Sequence, residues 1–152
     1  MIYRKVSNRE TSAYVRELKE FDSHNGTLWG RWEDIGTGET DRMRKALYVV
    51  YSYGKHHPLY VHERSTGKWY RNMEKYSSTT SRHLTQAHPG VPCEDIATSE
   101  EMMALAEGGV LHLIEEREWQ RKRVEYIETA QSNARAFAQS MQQIKDALIP
   151  IK

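Results

Sequence analysis

The chain reads as an α+β fold: an antiparallel sheet of about four strands, flanked by helices and completed by a long C-terminal helix. Three observations carry that reading. Leu47–Tyr53 (Leu-Tyr-Val-Val-Tyr-Ser-Tyr) is β-branched and aromatic, and apolar on both faces at its start, as a central strand requires. Leu59–Arg64 and Lys68–Asn72 flank Ser65-Thr66-Gly67 in a hairpin pattern. From Val110 to Leu148 nothing interrupts a helix until Pro150.

Taken in order, Ser7-Asn-Arg-Glu10 has capping-box spacing, and Tyr14, Val15, Leu18 and Phe21 recur at helical intervals before Asn25-Gly26. They predict a helix over 10–23 with one apolar stripe against the sheet. Thr27–Glu33 is a short strand in which Gly30 permits close approach of another group. Residues 34–45 hold two glycines and mixed charges without periodicity, and read as a loop long enough to be functional. Gly54–Pro58 is expected to turn the chain, since glycine permits positive φ and Pro58 biases His57 away from helix. In the hairpin, Tyr60, His62 and Arg64 share one face, with Leu59, Val61 and Glu63 on the other. Ser77 and Ser78 offer caps to a helix ending near Ala87, where His88-Pro-Gly-Val-Pro92 stops it. Thr98-Ser-Glu-Glu101 opens a short helix that closes at Gly108-Gly109.

The organisation is therefore an α+β domain, residues 1–109, followed by a long helix, residues 110–152. At seven-residue spacing, Val110, Leu113, Val124, Ile127, Ala134, Ala138, Met141 and Leu148 form a seam interrupted by Arg117, Gln120, Gln131 and Lys145. Such a helix is about 58 Å long at 1.5 Å per residue, more than a small domain covers. It packs back on its own sheet, projects, or pairs with another chain. A homodimer through residues 110–148 is the expectation, because Ile127, Phe137 and Met141 would otherwise form an unfavourable patch.

With 152 residues the chain can bury a core, and its 38% apolar and 28% charged content suits a domain with one solvated appendage. No apolar run approaches the roughly 20 residues that cross a bilayer, and Met-Ile-Tyr-Arg-Lys lacks the apolar region of a secretory signal. Cys93 is the sole cysteine, which excludes an internal disulfide and argues against structural zinc. The expectation is a cytoplasmic protein with no membrane partner, metal or cofactor. Its net charge of +1 conceals a segregation. Residues 53–83 carry six Lys or Arg against two acidic residues, a net of +4, whereas residues 84–110 carry five acidic residues and no Lys or Arg, a net of −5.

Basic residues interleaved with aromatics suit phosphate neutralisation and base stacking, although a solvated hairpin face over packed rings has the same composition. Tyr76-Ser-Ser-Thr-Thr-Ser-Arg-His83 sets hydroxyls, Arg82 and His83 beside the free amides of a helix start, an arrangement suited to an anion. It lacks the glycines of a phosphate-binding loop and is also what an ordinary N-cap provides. His56 and His57, in Ser52-Tyr-Gly-Lys-His-His-Pro58, are candidates for acid–base work or hydrogen bonding. A nucleophilic triad has no Gly-x-Ser-x-Gly to support it.

Ser52-Tyr-Gly54, Pro58 and Tyr76-Ser-Ser-Thr-Thr-Ser-Arg-His83 resemble the signature of a small family of uncharacterised bacteriophage and plasmid proteins. The resemblance runs from about Trp29 to His88, less than half the chain. It implies a site formed by Tyr53, Gly54, Pro58, Tyr76, Ser77, Thr79, Thr80, Ser81 and His83, and it implies no activity. For a phage-encoded chain the compartment would be the host cytoplasm.

The function expected is that of a non-enzymatic accessory protein binding a phosphate-bearing ligand, nucleic acid first. Lys55, Lys68, Arg71 and Arg82 would hold phosphates, Tyr53, Tyr70 and Tyr76 would stack, and Gly54, His57, Ser77, Thr79, Thr80, Ser81 and His83 would complete the site. Two other classes remain open: an inhibitor of a host protein acting through the long helix or the acidic segment, and a small phosphoester-acting enzyme using His57 or His83.

Overall fold

Leu47–Ser52 is buried at all six positions, as its unbroken apolar run demands, because helices cover both faces of the sheet it centres. The computed structural model describes residues 3–35, 40, 45–75 and 77–148. Among these, seven strands form one sheet in chain order. They are β1 (Lys5–Val6), β2 (Phe21–Ser23), β3 (Leu28–Glu33), β4 (Leu47–Ser52), β5 (Gly54–Glu63), β6 (Lys68–Asn72) and β7 (Glu94–Ile96). The helices are α1 (Asn8–Arg16), α2 (Ser78–Gln86), α3 (Ser99–Gly108) and α4 (Val110–Leu148).

The four expected strands are β3 to β6, and they pair antiparallel. The sheet is nonetheless wider and mixed, because β1 joins β2 in parallel and β7 joins β6 in parallel. These additions, like β2, are two or three residues long. Segments that short show no two-residue alternation, and tertiary pairing alone creates them.

Helix α1 also departs from the expected span of 10–23. It ends at Arg16, and Leu18 takes a left-handed φ of 58° that turns the chain toward the sheet. Phe21 therefore enters the core from β2 rather than from a helical stripe, its ring 6.2 Å from that of Tyr14. The Trp32 indole donates to the Leu18 carbonyl at 3.0 Å and the Tyr48 hydroxyl to the Lys19 carbonyl at 2.6 Å, which fixes the turn from below. The Ser7 side chain makes no cap bond; its carbonyl instead accepts from Thr11 Oγ1 at 3.1 Å. The two later caps form as their sequences predict, with Ser77 Oγ accepting from the Thr80 amide and Thr98 Oγ1 from the Glu101 amide.

Two cores result, one on each side of the sheet. Val15 of α1, Leu84 of α2 and Ala87 pack with Phe21, Leu28, Tyr48, Val50, Leu59, Tyr60 and Trp69. Met102, Leu105 and Ala106 of α3, with Leu113 at the start of α4, pack on Leu47, Val49, Tyr51, Val61 and Tyr70. Leu59 thus shares a core with Tyr60 instead of facing away from it, because the register shifts between Val50 and Ser52. The left-handed Gly109 (φ 78°) separates α3 from α4, and the Glu63 carboxylate accepts from the Val110 amide at 3.4 Å.

The chain divides into two units, Met1–Ile114 and Glu115–Lys152. In the second, every described side chain is exposed except Glu116 and Gln120, which are half-buried. Most of the expected 34–45 loop lies outside the described residues.

Gly30 shows how tightly the first core is closed. A Cβ there would meet the Tyr48 hydroxyl and lie 2.7 Å from the Phe21 ring, both held by the core. Gly30→Ala is expected to destabilise the protein by about 1–3 kcal/mol in a urea titration; an unchanged midpoint would mean that this packing is looser than described.

Candidate ligand-binding site

At the end of β4 the backbone reverses within a single residue. Tyr53 takes φ 64°, and its amide donates to the Thr27 carbonyl at 2.7 Å. Ser52 and Gly54 pair across it. The turn expected over Gly54–Pro58 is therefore made by Tyr53, and Gly54–Pro58 begins strand β5. Left-handed backbone costs a non-glycine residue roughly 1–2 kcal/mol, so a tyrosine there is held by its surroundings. Such strain is characteristic of functional positions.

Two contacts hold it. Ser52 Oγ and His83 Nδ1 share a buried hydrogen bond of 2.7 Å, whose direction follows the imidazole tautomer. The Tyr53 ring stacks on the His83 ring with centroids 5.5 Å apart and planes 26° from parallel. Its other side faces solvent, leaving Tyr53 54% exposed while His83 is 6% exposed. Burial, and then the neighbouring Arg82 charge, push the His83 pKa below its ordinary value. Neutral His83 is thus a buried backing plate for an exposed aromatic ring.

The start of α2 lies within the same motif. Ser77 is exposed and caps the helix, and its Oγ and the buried Thr80 hydroxyl are 3.1 Å apart. The helix itself provides no acceptor for the Ser78 and Thr79 amides. Ser81 and Arg82 are exposed and Thr79 is half-buried. Tyr76 lies outside the described residues.

The remaining expected site residues are elsewhere. Lys55 lies 3.8 Å from Glu33, where Tyr51 and His56 line a depression of about 360 Å³ beside α3. Tyr70 is buried in the core on that same face. Lys68 and Arg71 lie along β6, where parallel pairing with β7 brings them to Glu94 at 3.8 Å and Asp95 at 2.8 Å. Two cations of the basic segment thus meet two carboxylates of the acidic one across β6 and β7.

His57, expected in a turn, is buried in strand β5 at 3% exposure. Its Nδ1 lies 2.8 Å from Ser99 Oγ, which also accepts from Asn72 Nδ2 at 2.9 Å. Asn72 donates to the Pro58 carbonyl as well, and Glu74 accepts from the Ser99 amide at 2.6 Å. The network joins β5, β6 and the start of α3. Sequence reasoning missed Ser99 and Asn72, whose partners across this network lie 14 to 42 residues away. Ser52 was legible only as part of the Ser52-Tyr-Gly54 motif. The two Ser–His pairs resemble a catalytic dyad in composition, but Ser52 is 1% and Ser99 2% exposed, which bars either hydroxyl from a substrate.

No helix among the described residues is long and apolar enough to cross a membrane. No group of three His, Cys, Asp or Glu side chains among them is placed to hold a metal ion. No protein-family model, curated protein or solved structure matches the chain.

His57, His62 and His83 all have pKa values lowered chiefly by burial. The unfolded chain therefore takes up protons first, near pH 6.5, so the histidine contribution is complete above that value and is lost as pH falls. The thermal midpoint is expected to fall between pH 7 and pH 5. A flat or rising profile across that window would contradict buried, neutral histidines.

Proposed function

We propose that this chain is a non-enzymatic binding protein that takes a phosphate-bearing ligand, single-stranded nucleic acid first, at the junction of Tyr53 and α2. One observation carries the reading: an exposed tyrosine ring is held at a left-handed backbone position by a stack on a buried histidine. An unpaired base stacks on such a ring whatever its identity, which suits recognition of single strands. Arg82 and the outward amides of Ser78 and Thr79 supply an adjacent anion-binding edge. The resemblance of the Ser52-Tyr-Gly54 and Tyr76–His83 motifs to phage and plasmid proteins implies a site at these residues and, for a phage-encoded chain, a host cytoplasm.

Binding is favoured over catalysis by His57 or His83 because those two histidines are 3% and 6% exposed. The engagement of Lys68 and Arg71 by Glu94 and Asp95 limits the ligand to one or two phosphate contacts near Arg82. For a single strand, that number gives a loss of affinity of roughly three- to sevenfold between 50 and 200 mM salt, far less than a basic groove would show.

Fluorescence polarisation of labelled single- and double-stranded DNA and RNA tests the reading, with Tyr53→Gly and Arg82→Ala as variants. Both substitutions are expected to weaken single-strand binding, Tyr53→Gly by about five- to a hundredfold from the lost stack. Tyr53→Gly should at the same time stabilise the fold by up to about 1 kcal/mol, since glycine adopts positive φ freely. Unchanged binding in Tyr53→Gly, or no binding by the native protein at 50 mM salt, would overturn the proposal.

A further inference from the structure

The second unit holds a surface that the ligand site does not use. Along α4, Ile127, Ala130, Ala134, Phe137, Met141 and Ile144 follow one another at alternating steps of three and four residues. Leu148 continues the series. That spacing is an unbroken heptad seam, with Ile127, Ala134 and Met141 at one core position and Ala130, Phe137 and Ile144 at the other. It differs from the seam through Val124, Gln131, Ala138 and Lys145, which polar residues interrupt. The large members are exposed: Ile127 43%, Phe137 68%, Met141 49%, Ile144 53% and Leu148 76%. Ala130 and Ala134 are exposed as well.

We propose that a second copy of this chain covers this face, with the two helices antiparallel. The order of side-chain volumes carries the orientation. In an antiparallel pair each residue of one core position faces a residue of the other. Setting Ala134 of one copy against Phe137 of the other also sets Ala130 against Met141 and Ile127 against Ile144. Each of these layers pairs small with large, or two of intermediate size, which keeps the helices at one separation and fills this part of the interface evenly, with Leu148 opposite Arg123 at its ends. A parallel pair in register places Ala130 on Ala130 and Phe137 on Phe137, alternating voids with overfilled layers. Charge favours self-pairing too. Residues 126–148 carry Glu128 and Asp146 against Arg135 and Lys145, none of them on the seam, so two copies meet without net repulsion. The proposal is independent of the nucleic-acid reading, since none of its residues belongs to the Tyr53 site.

Mass by light scattering tests the pairing, and spin-label distances test its orientation. At about 50 µM the full chain is expected to be a dimer; a monomer mass would overturn the proposal. In a Cys93→Ser background, nitroxides are placed at Ala136→Cys or at Gln143→Cys, which occupy equivalent outward positions one heptad apart. In the antiparallel register, the two Ala136→Cys labels are offset along the axis by about 1.5 Å and the two Gln143→Cys labels by about 22 Å. The Gln143→Cys distance should therefore be much the longer. Equal distances would overturn the orientation. Complementary substitutions add a rescue. Phe137→Ala and Ala134→Phe should each weaken dimerisation by roughly tenfold or more, by a void and by overfilling respectively. The double variant restores a large–small layer and should recover affinity; failure of that rescue, with helicity retained by circular dichroism, would contradict the register.

Discussion

The burial of β4 on both faces is the constraint on which the rest of the structure depends. A six-residue run with no solvated side needs a helix above and below it. The chain supplies α1 and α2 to one face and α3 to the other. Polar groups crossing between those layers must then find partners inside. Ser52 meets His83, His57 meets Ser99, and the Tyr48 and Tyr60 hydroxyls donate to backbone carbonyls. Leaving any one of them unpaired would cost about 1–3 kcal/mol. The strand can leave this double cover only at its end, and there Tyr53 turns the chain and exposes its ring. The site and the core are thus consequences of the same burial.

The charge pattern has a similar origin. Along the sequence, a basic aromatic stretch followed by an acidic one suggests a nucleic-acid surface. In the fold, β7 returns beside β6 and aligns Arg71 with Asp95 and Tyr70 with Glu94. Opposite charges that are far apart in sequence become cross-strand neighbours at a sheet edge, where such pairs contribute modestly to register. Lys68 and Arg71 then have a structural task, and the electrostatic attraction available to a ligand contracts toward Arg82. For the proposed ligand, that predicts binding that is weak, dominated by stacking, and only mildly sensitive to salt.

Much of the architecture was readable in the residues. β3 to β6, the Ser77 and Thr98 caps, the Gly108-Gly109 break and the uninterrupted final helix each carry a local signal strong enough to survive packing. What escaped depends on contacts distant in sequence. The edge strands β1 and β7 and strand β2 are too short for periodicity, and Phe21, at helical spacing from Leu18, reaches the same core from a strand. Of the residues expected in the site, Tyr53 stacks on His83 and Ser77 caps the helix at Thr80, because two motifs with turn and cap chemistry set them at element ends. Gly54–Pro58, expected as a turn, is strand instead, with His57 buried, and the register shifts between Val50 and Ser52. A two-residue alternation cannot foresee that shift.

Chemical-shift mapping of the ¹⁵N-labelled protein titrated with a short single-stranded oligonucleotide tests the Tyr53–α2 site most directly. The amides of Tyr53, Gly54 and Ser77 to Arg82 should move together and saturate with one affinity, while those of β6 and β7 stay in place. Shifts confined to Lys68, Arg71 and the acidic strand, or spread along α4 with Tyr53 unmoved, would contradict the site.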